Sequence, residues 1–173
     1  MIPHIIHLVC LPPWTDVAKS NVERLSTTNP DFEVIVHTKP PKNFIFEGMS
    51  VSGPSGLCNL IRMDCLKRWG GWYFDLDVQV RCDLKKLEKV LFLGNNLAVS
   101  NMSKNKVCTF VSCCPKKWNG WDIVVPYLKA NPSNAKGHYC TRVMGRLIKE
   151  KPNLCDCLPP EFVYSDNWLK HKH

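Results

Sequence analysis

The sequence predicts an α/β fold in which a mostly parallel central sheet is flanked by helices, in a compact version. Three observations predict it. Ile5 to Leu11 is an almost continuous apolar run, interrupted by His7, as expected of a strand buried on both faces. Phe32 to His37 is a second β-rich run, and the stretch between the two is helical, so together they read as a βαβ unit. A third short apolar run, Trp72 to Phe74, follows another helical stretch.

Each element has a local reason. Pro12-Pro13 ends the first run, and Thr15 or Asp16 can cap a helix whose Ala18, Val22 and Leu25 share one face. Asn29-Pro30-Asp31 stops that helix and turns the chain. Lys39 to Pro54 is a loop with Pro and Gly, and Phe44, Ile45 and Phe46 are expected to tuck beneath it. Ser55 is expected to cap a helix running to about Trp69, with Leu57, Ile61 and Cys65 on one side and Leu60 and Leu66 widening the stripe. Gly70 follows at the position where a left-handed residue ends a helix.

Beyond Phe74, Val78 to Val80 reads as a short strand and Asp83 as the cap of a brief helix, Leu84 to Val90. Leu97 to Ser100 and Val107 to Cys113 read as a hairpin. Trp121 to Leu128 is predicted helical despite Pro126, and His138 to Lys149 helical with Cys140, Val143, Met144 and Leu147 at helical spacing. Pro152, Pro159 and Pro160 mark an irregular tail. With no repeat and no domain boundary, residues 1–173 are expected to form a single domain.

The 45% hydrophobic and 22% charged content fits a globular protein, and nothing approaches the roughly 18 consecutive apolar residues of a membrane span. Met1-Ile2-Pro3-His4 lacks the marks of a signal peptide, which predicts a cytoplasmic location, in a host cell's cytoplasm if the protein is viral. Ten cysteines are then expected to be reduced and packed as small hydrophobes. The close pairs Cys113-Cys114 and Cys155-Asp156-Cys157 lack the spacing of zinc ligands. A net charge of +8 and a pI of 9.0 favour anionic partners: nucleotide phosphates, anionic glycans or nucleic acid.

The chemistry concentrates in Gly70-Gly71-Trp72-Tyr73-Phe74-Asp75-Leu76-Asp77. Two carboxylates separated by one apolar residue at a strand-to-loop junction can both reach a hard cation such as Mg2+ or Mn2+, which commonly shares such ligands with phosphate oxygens. Strand carboxyl ends are also where open α/β sheets bind ligands. Arg62 and Asn59, three residues apart, share a helix face that can meet this pair; the bland alternative pairs Arg62 with a nearby acid such as Asp64. His4, His7, His37 and His138 read as core residues, and Trp118 and Trp121 as core or as the lining of an acceptor groove.

These segments also carry a resemblance. Ile2-Pro3-His4-Ile5-Ile6-His7 resembles the opening strand of the retaining DXD sugar-binding glycosyltransferases, the capsular-polysaccharide and mannosyltransferase type of glycosyltransferase family 32. Asn29-Pro30-Asp31-Phe32-Glu33 is similar to the family's segment before its second strand. Arg62, Leu66, Gly70-Gly71, Tyr73, Asp75 and Asp77 fall at the family's spacing; Gly137, Thr141 and Pro159 to Tyr164 are similar to its later positions. Two departures stand out: Cys58-Asn59 where the family has Ser-Asp, and Cys10 where its first strand carries Trp.

The resemblance implies a compact GT-A fold and a metal-dependent glycosyltransferase of hexosyltransferase type, retaining in outcome. It would use Mn2+ or Mg2+ and a UDP- or GDP-sugar, with a glycan, a protein or a modified DNA base as acceptor. It implies Asp75, Asp77 and Arg62 as catalytic residues, and Val9, Cys10, Asn59, Arg62 and Asp75 against the donor. The metal would be held by Asp75 and Asp77 and by a terminal histidine, His171 or His173. Two other functions stay open from the residues: a metal-dependent phosphodiesterase or nuclease, for which Asp64 and Asp83 are the nearby extra acids, and a basic non-catalytic nucleic-acid-binding domain.

Overall fold

The computed structural model describes residues 1–51, 53–80, 82–90, 97–103, 106–130 and 139–158. His138, Gly137, Pro159 to Tyr164, His171 and His173 lie outside the described residues.

Among the described residues six strands form one sheet: β1 (Ile5–Val9), β2 (Glu33–His37), β3 (Gly71–Phe74), β4 (Leu97–Ser103), β5 (Lys106–Cys114) and β6 (Cys155–Leu158), in spatial order β2-β1-β3-β5-β4-β6. β2, β1 and β3 run parallel, β5 is antiparallel to both β3 and β4, and β6 is parallel to β4. The α-helices of the described residues that flank it are α1 (Asp16–Thr28), α2 (Gly53–Trp69), α3 (Leu84–Val90), α4 (Trp121–Ala130) and α5 (Tyr139–Glu150).

Period-two alternation divides the core between the two sheet faces. Ile6, Leu8, Trp72, Phe74 and Cys113 pack on the side of α1 and α3, with Leu25 and Leu84. Val9, Tyr73 and Cys114 pack on the other side with α2, α4 and α5. Cys113 and Cys114 thus point into opposite cores, which rules out a four-thiolate cluster built from the two close cysteine pairs.

Most local expectations hold. Thr15 caps α1, its Oγ1 accepting from the Ala18 amide at 3.2 Å. Asp83 caps α3 through the Lys85 and Lys86 amides at 2.9 and 3.3 Å. Gly70 ends α2 with φ of +67° and donates its N–H to the Leu66 carbonyl at 2.9 Å.

Four expectations need correction. α2 begins at Gly53, so Ser55 sits in its first turn rather than capping it; Pro54 fits that turn because its fixed φ and missing N–H cost nothing there. Val78 to Val80 is not a strand. The Val78 amide bonds to the Asp75 carbonyl at 3.0 Å, closing a turn that leads the chain off the sheet, and Val80 packs in the core instead. The tail is not irregular throughout: Cys155–Leu158 adds a parallel strand to β4 between Pro152 and the prolines that follow. Finally, α2 is not amphipathic in its middle: Asn59 to Leu66 is buried without interruption. The sheet covers one side, and Phe44, Phe46 and Met49 pack against the same core.

Candidate functional site

Burial of α2 places charged side chains inside the protein, where each needs a partner. Arg62 is 4% exposed, and its Nη2 lies 2.6 Å from Asp75 Oδ1. The same nitrogen is 3.2 Å from the Tyr73 hydroxyl, and the guanidinium carbon stands 4.2 Å from the Tyr73 ring centre. Tyr73 in turn donates to Asp75 Oδ1 at 2.7 Å. Burial pushes the Tyr73 hydroxyl far above the ordinary phenol range, so it stays protonated and remains a donor. Tyr73 and Asp75 meet α2 together because residues two apart in a strand face the same side.

Asp64 does not compete for Arg62. It is fully buried and accepts from Arg68 Nε at 2.6 Å, while Arg68 Nη2 also donates to the Asn43 carbonyl. With Asp83 occupied as the α3 cap, neither acid needed by the phosphodiesterase reading joins the Asp75 site.

Asp75 and Asp77 are placed differently. Asp75 side chain is 35% exposed and has its Oδ1 held by two donors, which leaves Oδ2. Asp77 is exposed, in the turn Asp75-Leu76-Asp77-Val78. That turn is tied to α1: Asn21, 6% exposed, donates from Nδ2 to the Leu76 carbonyl at 2.5 Å. The sequence reading missed Asn21. Its signal is a polar residue on the apolar face between Ala18 and Leu25, where a buried amide must have a partner.

The site lies at a topological switch point. From β1 the chain goes to β2 on one side and to β3 on the other, so the carboxyl ends of the parallel pair β1 and β3 open a crevice. Cys10 follows the end of β1, buried, with its amide bonded to the His37 carbonyl at 3.0 Å. Cys58 on α2 is close enough to feel Arg62, Asp75 and Cys10, and burial pushes its thiol above the usual range. Arg62, Tyr73, Asp75, Cys10 and Cys58 therefore share one place. Asn59 is buried one helical turn before Arg62. Val9 is only 5% exposed and packs in the α2-side core, so its side chain is a wall of the core rather than a contact surface.

Gly71 sets how close β3 comes to β1. Its φ is +91°, and a Cβ there would lie 2.5 Å from the Ile5 carbonyl oxygen. At Gly70 a Cβ would lie 2.7 Å from the Lys116 amide nitrogen. The Gly-Gly pair therefore has a steric reason on both sides of the strand that carries the carboxylates.

Trp118 and Trp121 do not line a groove. They are 4% and 3% exposed, pack edge to face at 5.0 Å between centroids, and Trp118 Nε1 donates to the Leu154 carbonyl at 2.7 Å. Of the histidines expected in the core, His7 is buried and His37 half-buried, whereas His4 is exposed at the surface; His7 and His37 face each other at 3.1 Å between Nδ1 and Nε2. Parallel register staggers them by two positions, a relation invisible before β1 and β2 are aligned.

No protein-family model and no curated protein sequence matches the chain. Solved structures do. The PaToxG glycosyltransferase superposes with a TM-score of 0.59 at 13% identity, over 88% of this chain and 71% of that one. A glycosyltransferase involved in glycosylation of the major capsid of PBCV-1 gives 0.56 at 13% identity, over 90% and 81%. The apo-form glycosyltransferase GlyE of Streptococcus pneumoniae TIGR4 gives 0.64 at 16% identity, over 99% of this chain but 50% of that longer one. At such identities the likeness speaks for the fold: sheet, flanking helices and switch-point crevice together make this a GT-A-type glycosyltransferase fold.

Proposed function

We propose that the chain is a single catalytic domain that transfers a sugar from a nucleotide-diphosphate donor to an acceptor, with a divalent metal and with retention. The observation that carries the reading is the arrangement at the end of β3: Asp75 clamped by Arg62 and Tyr73, and Asp77 exposed two residues on, in a switch-point crevice. The donor set fits Mg2+ or Mn2+, since both residues offer carboxylate oxygens and neither carboxylate is fully enclosed. When bound, the metal supplies positive charge for the departing nucleotide diphosphate.

The chain's own residues have separate tasks in this reading. Asp77 is the principal metal ligand. Asp75, fixed through Oδ1, presents Oδ2 to the metal or to the donor's ribose or sugar. Arg62 is too enclosed to grip the diphosphate and acts through Asp75, which it orients. Cys10 and Cys58 line the donor end of the crevice, where small side chains leave room, and Asn59 supports it from α2. A third protein ligand is sought in His171 or His173.

The test is thermal shift of the full chain with UDP- and GDP-sugars, with and without Mn2+. One donor should raise Tm only when metal is present, and Asp77→Asn should abolish that rise. Glycan, protein and modified-DNA acceptors are then screened with the donor so found, and the product's anomeric configuration read by NMR. Absence of metal-dependent stabilisation by any donor would refute the proposal.

A further inference from the structure

The protein carries a second cluster of metal-binding chemistry, made of nitrogen and sulfur rather than oxygen. His7 on β1, His37 at the end of β2 and Cys65 on α2 bring one ligand atom each to within 4.8 Å of one another. His7 Nε2 is 2.9 Å from the Gly70 carbonyl oxygen, which can only accept. Nε2 therefore holds the proton, and the lone pair of neutral His7 is on Nδ1, aimed at His37 Nε2 at 3.1 Å. A backbone carbonyl on the far nitrogen is also how metal-bound histidines are commonly oriented.

The dimensions suit zinc. With Zn–N near 2.0–2.1 Å, two tetrahedral nitrogen ligands stand about 3.3 Å apart, and a thiolate needs about 3.6 Å to each nitrogen. The histidine pair is already near that spacing, and Cys65, within 4.8 Å of both, needs to close by about 1.2 Å at most. Trp69 lies against both imidazoles, with centroids 5.7 and 5.8 Å away, and shields the cluster. Asp64, next to Cys65, brings negative charge within reach of His37 and Cys65, and its buried Oδ2 has no hydrogen-bond partner. Two imidazoles and a thiolate form a borderline-soft set that favours zinc over the hard cations suited to Asp75 and Asp77.

We propose that His7, His37 and Cys65 bind a zinc ion that ties β1, β2 and α2 together, separate from the carboxylate site. Its consequence for that site is positional. Cys65 lies three residues after Arg62 on α2, so fixing Cys65 against β1 also fixes the register in which Arg62 meets Asp75.

The test is metal content and cobalt spectroscopy on the full chain. The purified protein should contain one zinc per chain. Metal-free protein given one equivalent of Co2+ should show tetrahedral d–d bands and a thiolate charge-transfer band. Cys65→Ser should abolish the charge-transfer band and His37→Gln should weaken cobalt affinity at least tenfold, with circular dichroism checking that each variant is folded. Asp77→Asn should leave both signals intact. A wild-type protein that takes up no cobalt with a thiolate band overturns the proposal, without variants. A band that survives in folded Cys65→Ser overturns it too, because another cysteine would then be the ligand.

Discussion

Arg62 Nη2 and Asp75 Oδ1 stand 2.6 Å apart across the junction of α2 and β3, with the arginine side chain 5% exposed and the aspartate 35%. The pair joins core to crevice: the cation is anchored inside and the anion opens outward. Removing one partner of a buried pair leaves the other desolvated and uncompensated, typically at a cost of about 3–5 kcal/mol, reduced here because Asp75 is partly solvated.

This asymmetry distinguishes the two acids. Asp75→Asn should lower both stability, by about 1–3 kcal/mol in urea unfolding, and metal-dependent donor binding. Asp77→Asn should abolish donor binding while changing stability by no more than about 0.5 kcal/mol, because Asp77 is exposed. Equal stability losses in the two variants would contradict the assignment of separate roles.

Asn21 reaches the site through its hydrogen bond to the Leu76 carbonyl. Asn21→Leu should cost about 1 kcal/mol by removing the hydrogen bond to that half-buried carbonyl. It should also weaken metal affinity while both carboxylates remain present. Titration of Mn2+ by calorimetry reads this; unchanged affinity in a folded variant would show that the turn holds its shape without Asn21.

Gly71→Ala should be among the most damaging single-methyl changes in the chain. The new Cβ would meet a backbone oxygen at 2.5 Å, and φ of +91° is strained for any L-residue. A loss of about 3 kcal/mol corresponds to a Tm drop of roughly 6–12 °C for a chain of this size. A variant melting within a degree or two of wild type would mean that β1 and β3 can separate freely.

His7 gives an acid-side prediction for the metal-free protein. Burial, and next the charge of His37, hold its pKa down at about 4 from 6.5, against the opposing pull of the Gly70 carbonyl. The folded state thus favours neutral His7, and the unfolded chain takes up a proton first. The resulting stability is complete above pH about 6.5 and is lost as pH falls toward 4, in total about 3 kcal/mol. Urea unfolding in chelator between pH 7 and 4.5 should show a steeper fall for wild type than for His7→Gln. Parallel limbs would remove His7 from the account.

Much of this protein is written locally. Apolar and β-rich runs place β1 and β2, period-3.6 patterns place α1 and α5, and Gly70-Gly71 before two spaced carboxylates marks the candidate site, because these signals depend on neighbours in the chain. Other features are long-range and carry no local mark. β6 is four residues between prolines and becomes a strand only because β4 offers it an edge. Arg62 could have paired with Asp64 two residues away; instead α2 burial turns Asp64 to Arg68 and Arg62 to Asp75, thirteen residues on in sequence. His7 and His37, thirty residues apart, meet only when parallel register aligns their strands. The sequence by itself determined the fold class and the residue types of the candidate site. Only the tertiary structure decided which charges pair, which histidines meet and which tryptophans are core, since desolvation and sheet register are properties of the assembled protein.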